Sequence, residues 1–121
     1  MTTPFEFQSL FDKANRAGYA AGEAATPTPM VVAETQPGGQ RWHVPDGPCG
    51  FAWVKIRPAT TSFARWMKKE GVARTAYEGG LTIWISGHGQ SMERKEMHAQ
   101  VMAKMLDGQF GVSAYAGSRM D

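Results

Sequence analysis

GFAWVKIR, residues Gly50–Arg57, alternates without a break. Successive side chains of a strand point to opposite faces. Phe51, Trp53, Lys55 and Arg57 therefore share one side, and Ala52, Val54 and Ile56 share the other. LTIWIS, residues Leu81–Ser86, repeats the division: Thr82, Trp84 and Ser86 against Leu81, Ile83 and Ile85. Near the C-terminus a strand over Val112–Ala116 separates Val112, Ala114 and Ala116 from Ser113, Tyr115 and, further on, Arg119. Each aliphatic face needs helices over it. The other face is built from side chains that stack on a base or pair with a phosphate.

The helices lie between and before these strands. Residues 4–25 read as a helix, with Thr3 as cap, Pro4 at the first position and Glu6 at the positive end of the dipole. Phe7, Leu10, Phe11 and Ala14 form its apolar stripe, continued by Ala17 and Ala21. Gly18 and Gly22 are four residues apart and make one smooth face, which admits another element at close range. Met30–Thr35 and Arg41–Val44 read as the arms of a hairpin around Gln36-Pro37-Gly38-Gly39, and Pro45-Asp46-Gly47-Pro48 is a second turn. A helix over 61–70 follows the strand stopped by Pro58, with Phe63, Trp66 and Met67 inward and Gly71 as its stop. A helix over 92–107, capped by Ser91 and ended by Gly108, sets Met97, Val101 and Met105 in a stripe, flanked by His98 and Met102. The order predicts one α+β domain over residues 1–121. It is a two-layer sandwich: N-terminal helix and β-hairpin, then strand–helix–strand–helix–strand.

Charge is unevenly placed. The net charge is +2 over 121 residues. Residues 1–50 carry three basic against five acidic side chains, while residues 51–121 carry ten against six. The densest basic stretch holds Lys55, Arg57, Arg65, Lys68, Lys69 and Arg74, which permits a local anion-binding surface. The single cysteine, Cys49, excludes an internal disulfide framework and reads as a small buried thiol. The N-terminus has no leader character and no apolar run approaches a membrane span, so a soluble, intracellular protein is expected.

Two candidate sites emerge. The first is the strand face of Trp53, Lys55, Arg57, Trp84, Tyr115 and Arg119, as a platform for a nucleotide or nucleic acid. Its competitor is the N-terminal helix, whose Phe-rich stripe would cover the same face. The second is the loop Gly87-His88-Gly89-Gln90-Ser91 followed by Arg94 and Lys95. A glycine-containing loop opening a helix can hold a phosphate through Gly87, His88, Gly89, Ser91 and Arg94. It is neither a Walker motif nor a dinucleotide fingerprint, and an ordinary capped helix is the plainer reading. His43, His88 and His98 lack metal-ligand spacing, and neither a cofactor nor a metal is expected. The Met-rich helix (Met92, Met97, Met102, Met105) reads as core filler.

The phrases TPTPMVV, CGFAWVKIRP, SFARWMKK, YEGGLTIWIS, GQSMERKE and SRMD resemble a family of small uncharacterised proteins encoded by tailed bacteriophages. The resemblance runs from Gly18 onward, apart from the region around Pro37–Gly47. It implies an accessory protein in the host bacterial cytoplasm and transfers no catalytic residue. The expectation is thus a non-enzymatic phage accessory protein that binds a nucleotide or nucleic acid, in host takeover or against host defence. The alternatives are a protein–protein module using the same face, as a host-protein inhibitor or homo-oligomer, and a small enzyme using His88.

Overall fold

The computed structural model describes residues 3–26, 30–33, 41–44 and 48–120, the two four-residue stretches as backbone only. The first helix, α1 (Pro4–Ala24), begins at Thr3, whose Oγ1 accepts from the Glu6 N–H at 3.3 Å. The hairpin forms as read, with β1 (Met30–Ala33) antiparallel to β2 (Arg41–Val44). The predicted extension to Thr35, the turn at 36–39 and most of the turn at 45–48 lie outside the described residues. β3 (Gly50–Arg57) has the predicted bounds. α2 (Ser62–Lys69) is capped by Thr61 Oγ1, which accepts from the Ala64 N–H at 3.1 Å, and Gly71 at φ 78° ends it in the left-handed region glycine favours. The short β4 (Arg74–Thr75) precedes β5 (Leu81–Trp84), then α3 (Met92–Leu106) and β6 (Ser113–Met120).

The main sheet has the order β4-β5-β3-β6, and every neighbouring pair is antiparallel. β5 and β6 both flank β3, so they run parallel to each other and α3 crosses over β3 between them. This is the expected α+β class. Two strand ends move. β5 closes at Trp84, although the Ile85 N–H still donates to the Ala52 carbonyl at 3.0 Å. β6 runs four residues past the predicted end at Ala116, through Gly117, which faces Trp53 across the ladder.

The aliphatic strand faces meet the helices as their alternation requires. Ala52, Val54, Ile56, Leu81 and Ile83 are buried with Phe63, Met67, Ala99, Met102 and Leu106. Fully burying one such large side chain stabilises by about 1.5–3 kcal/mol. α1 joins this core. Phe7 lies 5.2 Å from Phe63, 6.0 Å from Trp66 and 5.0 Å from Phe110 between ring centroids, and Phe11 lies 6.2 Å from Trp66. The first helix therefore belongs to the helix layer, and its phenylalanines do not cover the aromatic sheet face.

The predicted stripe of α3 is corrected. Lys95, His98, Ala99, Met102, Ala103 and Leu106 are its buried residues, while Met97 is exposed and Val101 and Met105 are only half-buried. The shift arises because α3 packs on both the sheet and α1, and two polar side chains on that face find internal partners. Cys49 is exposed rather than buried, at an isolated bridge to Ser91 beyond the start of β3.

The Gly18–Gly22 face is where α1 meets α3. A Cβ on Gly18 would stand 2.5 Å from His98 Cδ2 and 2.7 Å from the His98 carbonyl oxygen. A Cβ on Gly22 would stand 2.5 Å from His88 Cε1 and 2.8 Å from the Arg94 carbonyl oxygen. Gly18→Ala in an exposed helix would stabilise by about 1 kcal/mol. Here the backbone obstruction outweighs that gain, and Gly18→Ala is expected to lose about 1–3 kcal/mol in urea denaturation. A stabilised variant would show that the two helices are not in close contact.

Candidate functional site

The side of the sheet opposite the helices carries the aromatic stripe. Trp53 and Trp84 are direct cross-strand partners, with ring centroids 5.4 Å apart and planes inclined at 57°. Phe51 stands edge-on to Trp84 at 6.4 Å. Trp84 is 49% exposed and Tyr115 51%, which is unusual for rings of this size unless the surface meets something. Gly117 sets the position of Trp53. A Cβ there would lie 2.5 Å from Trp53 Nε1, so only glycine lets the indole settle over β6.

The two tryptophans border a cavity of about 390 Å³. Arg119 lines it from β6, Arg74 and Thr75 from β4, Thr82 from β5, and Ala76, Tyr77 and Glu78 from the loop between β4 and β5. Its size is that of a small-molecule site. The Arg119 guanidinium lies 5.6 Å from the Phe51 ring centroid, within cation–π range.

The six predicted face residues thus separate. Trp53, Trp84 and Arg119 converge on the cavity. Arg57 and Tyr115 are exposed farther along the same sheet and do not line it. Lys55 requires a correction. It is 2% exposed, and its Nζ forms a 2.5 Å ion pair with Glu78 Oε1. That hydrogen bond holds the Glu78 carboxyl below its ordinary value of 4.5. The Lys55 ammonium is engaged within the protein instead of standing open on the sheet face. It ties down the loop that walls the cavity, and Gly80 (φ 72°) follows closely against the Ile56 carbonyl. Tyr77 and Glu78 are not among the predicted site residues, and Arg74 is predicted only as part of the basic stretch. Their signal was the Gly79-Gly80 turn directly before the second aromatic strand.

The loop at 87–91 is built for a different purpose. Gly87 and Gly89 have positive φ (88° and 59°), and so does His88 (62°). This backbone turns the His88 ring inward. His88 Nδ1 lies 2.7 Å from Glu23 Oε1, and His88 Nε2 lies 2.9 Å from His98 Nδ1. His98 Nε2 in turn lies 2.9 Å from Asn15 Oδ1. The chain Glu23–His88–His98–Asn15 joins the C-terminal half of α1 to α3 and the loop before it, and Tyr19 packs on His88 at 4.8 Å. Arg94 Nη1 donates to the carbonyls of Gly22 (3.3 Å) and Glu23 (2.7 Å), neutralising the C-terminal end of α1. Ser91 Oγ accepts from the Arg94 N–H at 3.3 Å as the cap of α3, and Lys95 Nζ donates to the Gly50 carbonyl at 3.1 Å. The polar side chains read as a phosphate site therefore hold helices and strand together. A catalytic base at His88 loses its accessibility in the same way, because both ring nitrogens are engaged and its side chain is buried.

Burial, and to a smaller extent the adjacent His88, push His98 down from 6.5 to about 4. It is neutral at neutral pH, so one ring nitrogen donates and the other accepts, as its two partners require. Among the described residues no group of three or more His, Cys, Asp or Glu could hold a metal ion. No helix among them is long and apolar enough to cross a membrane. No family profile, curated protein or solved structure matches this chain.

The depressed value of His98 has a signed consequence. The unfolded chain takes up the proton first, so the contribution of neutral His98 is complete above pH 6.5 and is lost as pH falls toward 4. The slope of one such group is at most about 1.4 kcal/mol per pH unit. A proton NMR titration is expected to show the His98 ring titrating near pH 4. Titration near 6.5 would contradict its burial between α1 and α3.

Proposed function

We propose that this protein binds nucleotides or single-stranded nucleic acid, without catalysis, on the open face of its main sheet. The observation that supports this reading is the Trp53–Trp84 pair at the border of a cavity that also carries Arg74 and Arg119. A base stacked on an aromatic ring contributes about 1–3 kcal/mol and does so with little regard to sequence. The two guanidiniums supply fixed donors for phosphate, singly or as a fork. Four-stranded antiparallel sheets with helices on one side and aromatics on the other are a recurring platform for unstacked bases, an analogy of architecture alone. The phage resemblance would set this binding in an infected bacterial cytoplasm, where the protein would sequester a host defence nucleotide or occupy exposed strands during takeover.

A second reading has its own observation. The outer edge of β6 pairs with no strand among the described residues. A second copy, or a strand of a host protein, could add there and use Tyr115 as a contact.

Titration of tryptophan fluorescence with dTMP, AMP, cyclic dinucleotides and oligo-dT tests the first reading. Quenching is expected with at least one, together with loss of binding in Trp84→Ala and about tenfold weaker binding in Arg119→Glu, the worth of one charge-assisted contact. Absence of quenching by every probe, with a dimer in light scattering that dissociates in Tyr115→Ala, would favour the interface instead.

A further inference from the structure

The cavity beside Trp53 is the first of three hollows in series, and Trp84 lines all of them. The second, about 220 Å³, shares Arg74, Thr82 and Trp84 with the first. The third, about 270 Å³, shares Gly71, Val72 and Trp84 with the second and ends at Ser86 and at Asn15 of α1. The groove thus leaves the sheet face, rounds the edge at Trp84 and reaches the helix layer.

The topology explains why it exists. β4 has two residues and covers β5 only opposite Leu81 and Thr82. Past Thr82 no strand lies on that side among the described residues. Hydrogen bonding in an antiparallel ladder alternates between the two sides of a strand. The Ile85 N–H points to Ala52 on β3, so the backbone groups of Trp84, the last residue of β5, point away from β3 toward the groove. Its flank is cationic. Arg74 is exposed at its centre, and Lys68 and Lys69 are exposed in the last turn of α2, three and two residues before Gly71. Glu70 is the one acid in that segment, and the Glu78 carboxylate is already paired with Lys55.

We infer that the ligand is a single strand of two or three nucleotides or longer, one base on Trp53 and Trp84 and the backbone passing Arg74 round the sheet edge toward Ser86. This inference rests on the nucleotide-binding reading of the first cavity and extends it from a mononucleotide to a polymer. A mononucleotide would fill the first hollow and leave the other two unused. The cationic flank favours a polyanion over an extended peptide, which could otherwise use the same open backbone groups.

The experiment is a length series of dTMP, dT2, dT3 and dT6 against the full chain, by calorimetry or anisotropy, with wild type and Ser86→Glu. Ser86 is exposed and outside the first cavity, so dTMP binding also reports that the variant is folded. Affinity is expected to rise about tenfold for each of the second and third nucleotides, the contribution of one further charge-assisted phosphate contact, and then to level. Ser86→Glu is expected to weaken dT3 about tenfold, the effect of a misplaced charge at a phosphate, and to leave dTMP within a factor of two. Equal affinity for dTMP and dT6, or dT3 binding untouched by Ser86→Glu, would overturn the inference while the nucleotide reading stands. Failure of every length overturns both, as would binding of an extended peptide in their place.

Discussion

The rest of the structure depends on the approach of α1 to α3 through Gly18 and Gly22. Two missing side chains admit the ring and carbonyl of His98, the His88 ring and the Arg94 carbonyl. The same approach lines up Glu23, His88, His98 and Asn15 in one hydrogen-bonded chain and brings Arg94 to the last carbonyls of α1. A helix held on this face has one place for Phe7 and Phe11, the aromatic cluster with Phe63, Trp66 and Phe110. The apolar demand of α1 is met inside the helix layer. The opposite side of the sheet is left to Trp53 and Trp84.

That opposite side acquires its shape from one exception to strand alternation. Lys55 lies on the aromatic side but is covered, because the loop carrying Tyr77 and Glu78 folds over it and pairs with its ammonium. Enclosing a cation without a partner would be costly, so the ion pair and the loop's position go together. The result is a wall beside the tryptophans that a bare four-stranded sheet lacks. The shortness of β4 then leaves the far side of Trp84 open. Stacking surface, cations and free strand edge are thus brought together by local features of three strands.

Much of this was legible in the residues. The alternation of GFAWVKIR bounded β3 and separated its core side from its aromatic side. Thr3 and Ser91 marked helix starts through a chemistry that acts within three residues. Gly18 and Gly22 announced a close approach without naming the partner. What escaped depends on partners distant in the chain. Lys95 and His98 turn the buried face of α3 because Gly50 and Asn15 receive them, and periodicity counts both as polar. Gly87–Arg94 has the composition of an anion loop, and only Glu23, 65 residues from His88, shows that its histidine turns inward. A two-residue strand such as β4 is too short for any alternation to register, so Arg74 stood out only as part of a basic stretch and not as a neighbour of Trp53 and Trp84.

One nuclear Overhauser spectrum tests the central claim, that α1 is locked against α3 and the tryptophan face is thereby open. The account predicts cross-peaks from the Gly18 α-protons to the His98 ring and from the Gly22 α-protons to the His88 ring, with Phe7 and Phe11 seeing Trp66. Cross-peaks from Phe7 or Phe11 to Trp53 or Trp84, in place of these, would place the first helix on the sheet face and contradict it.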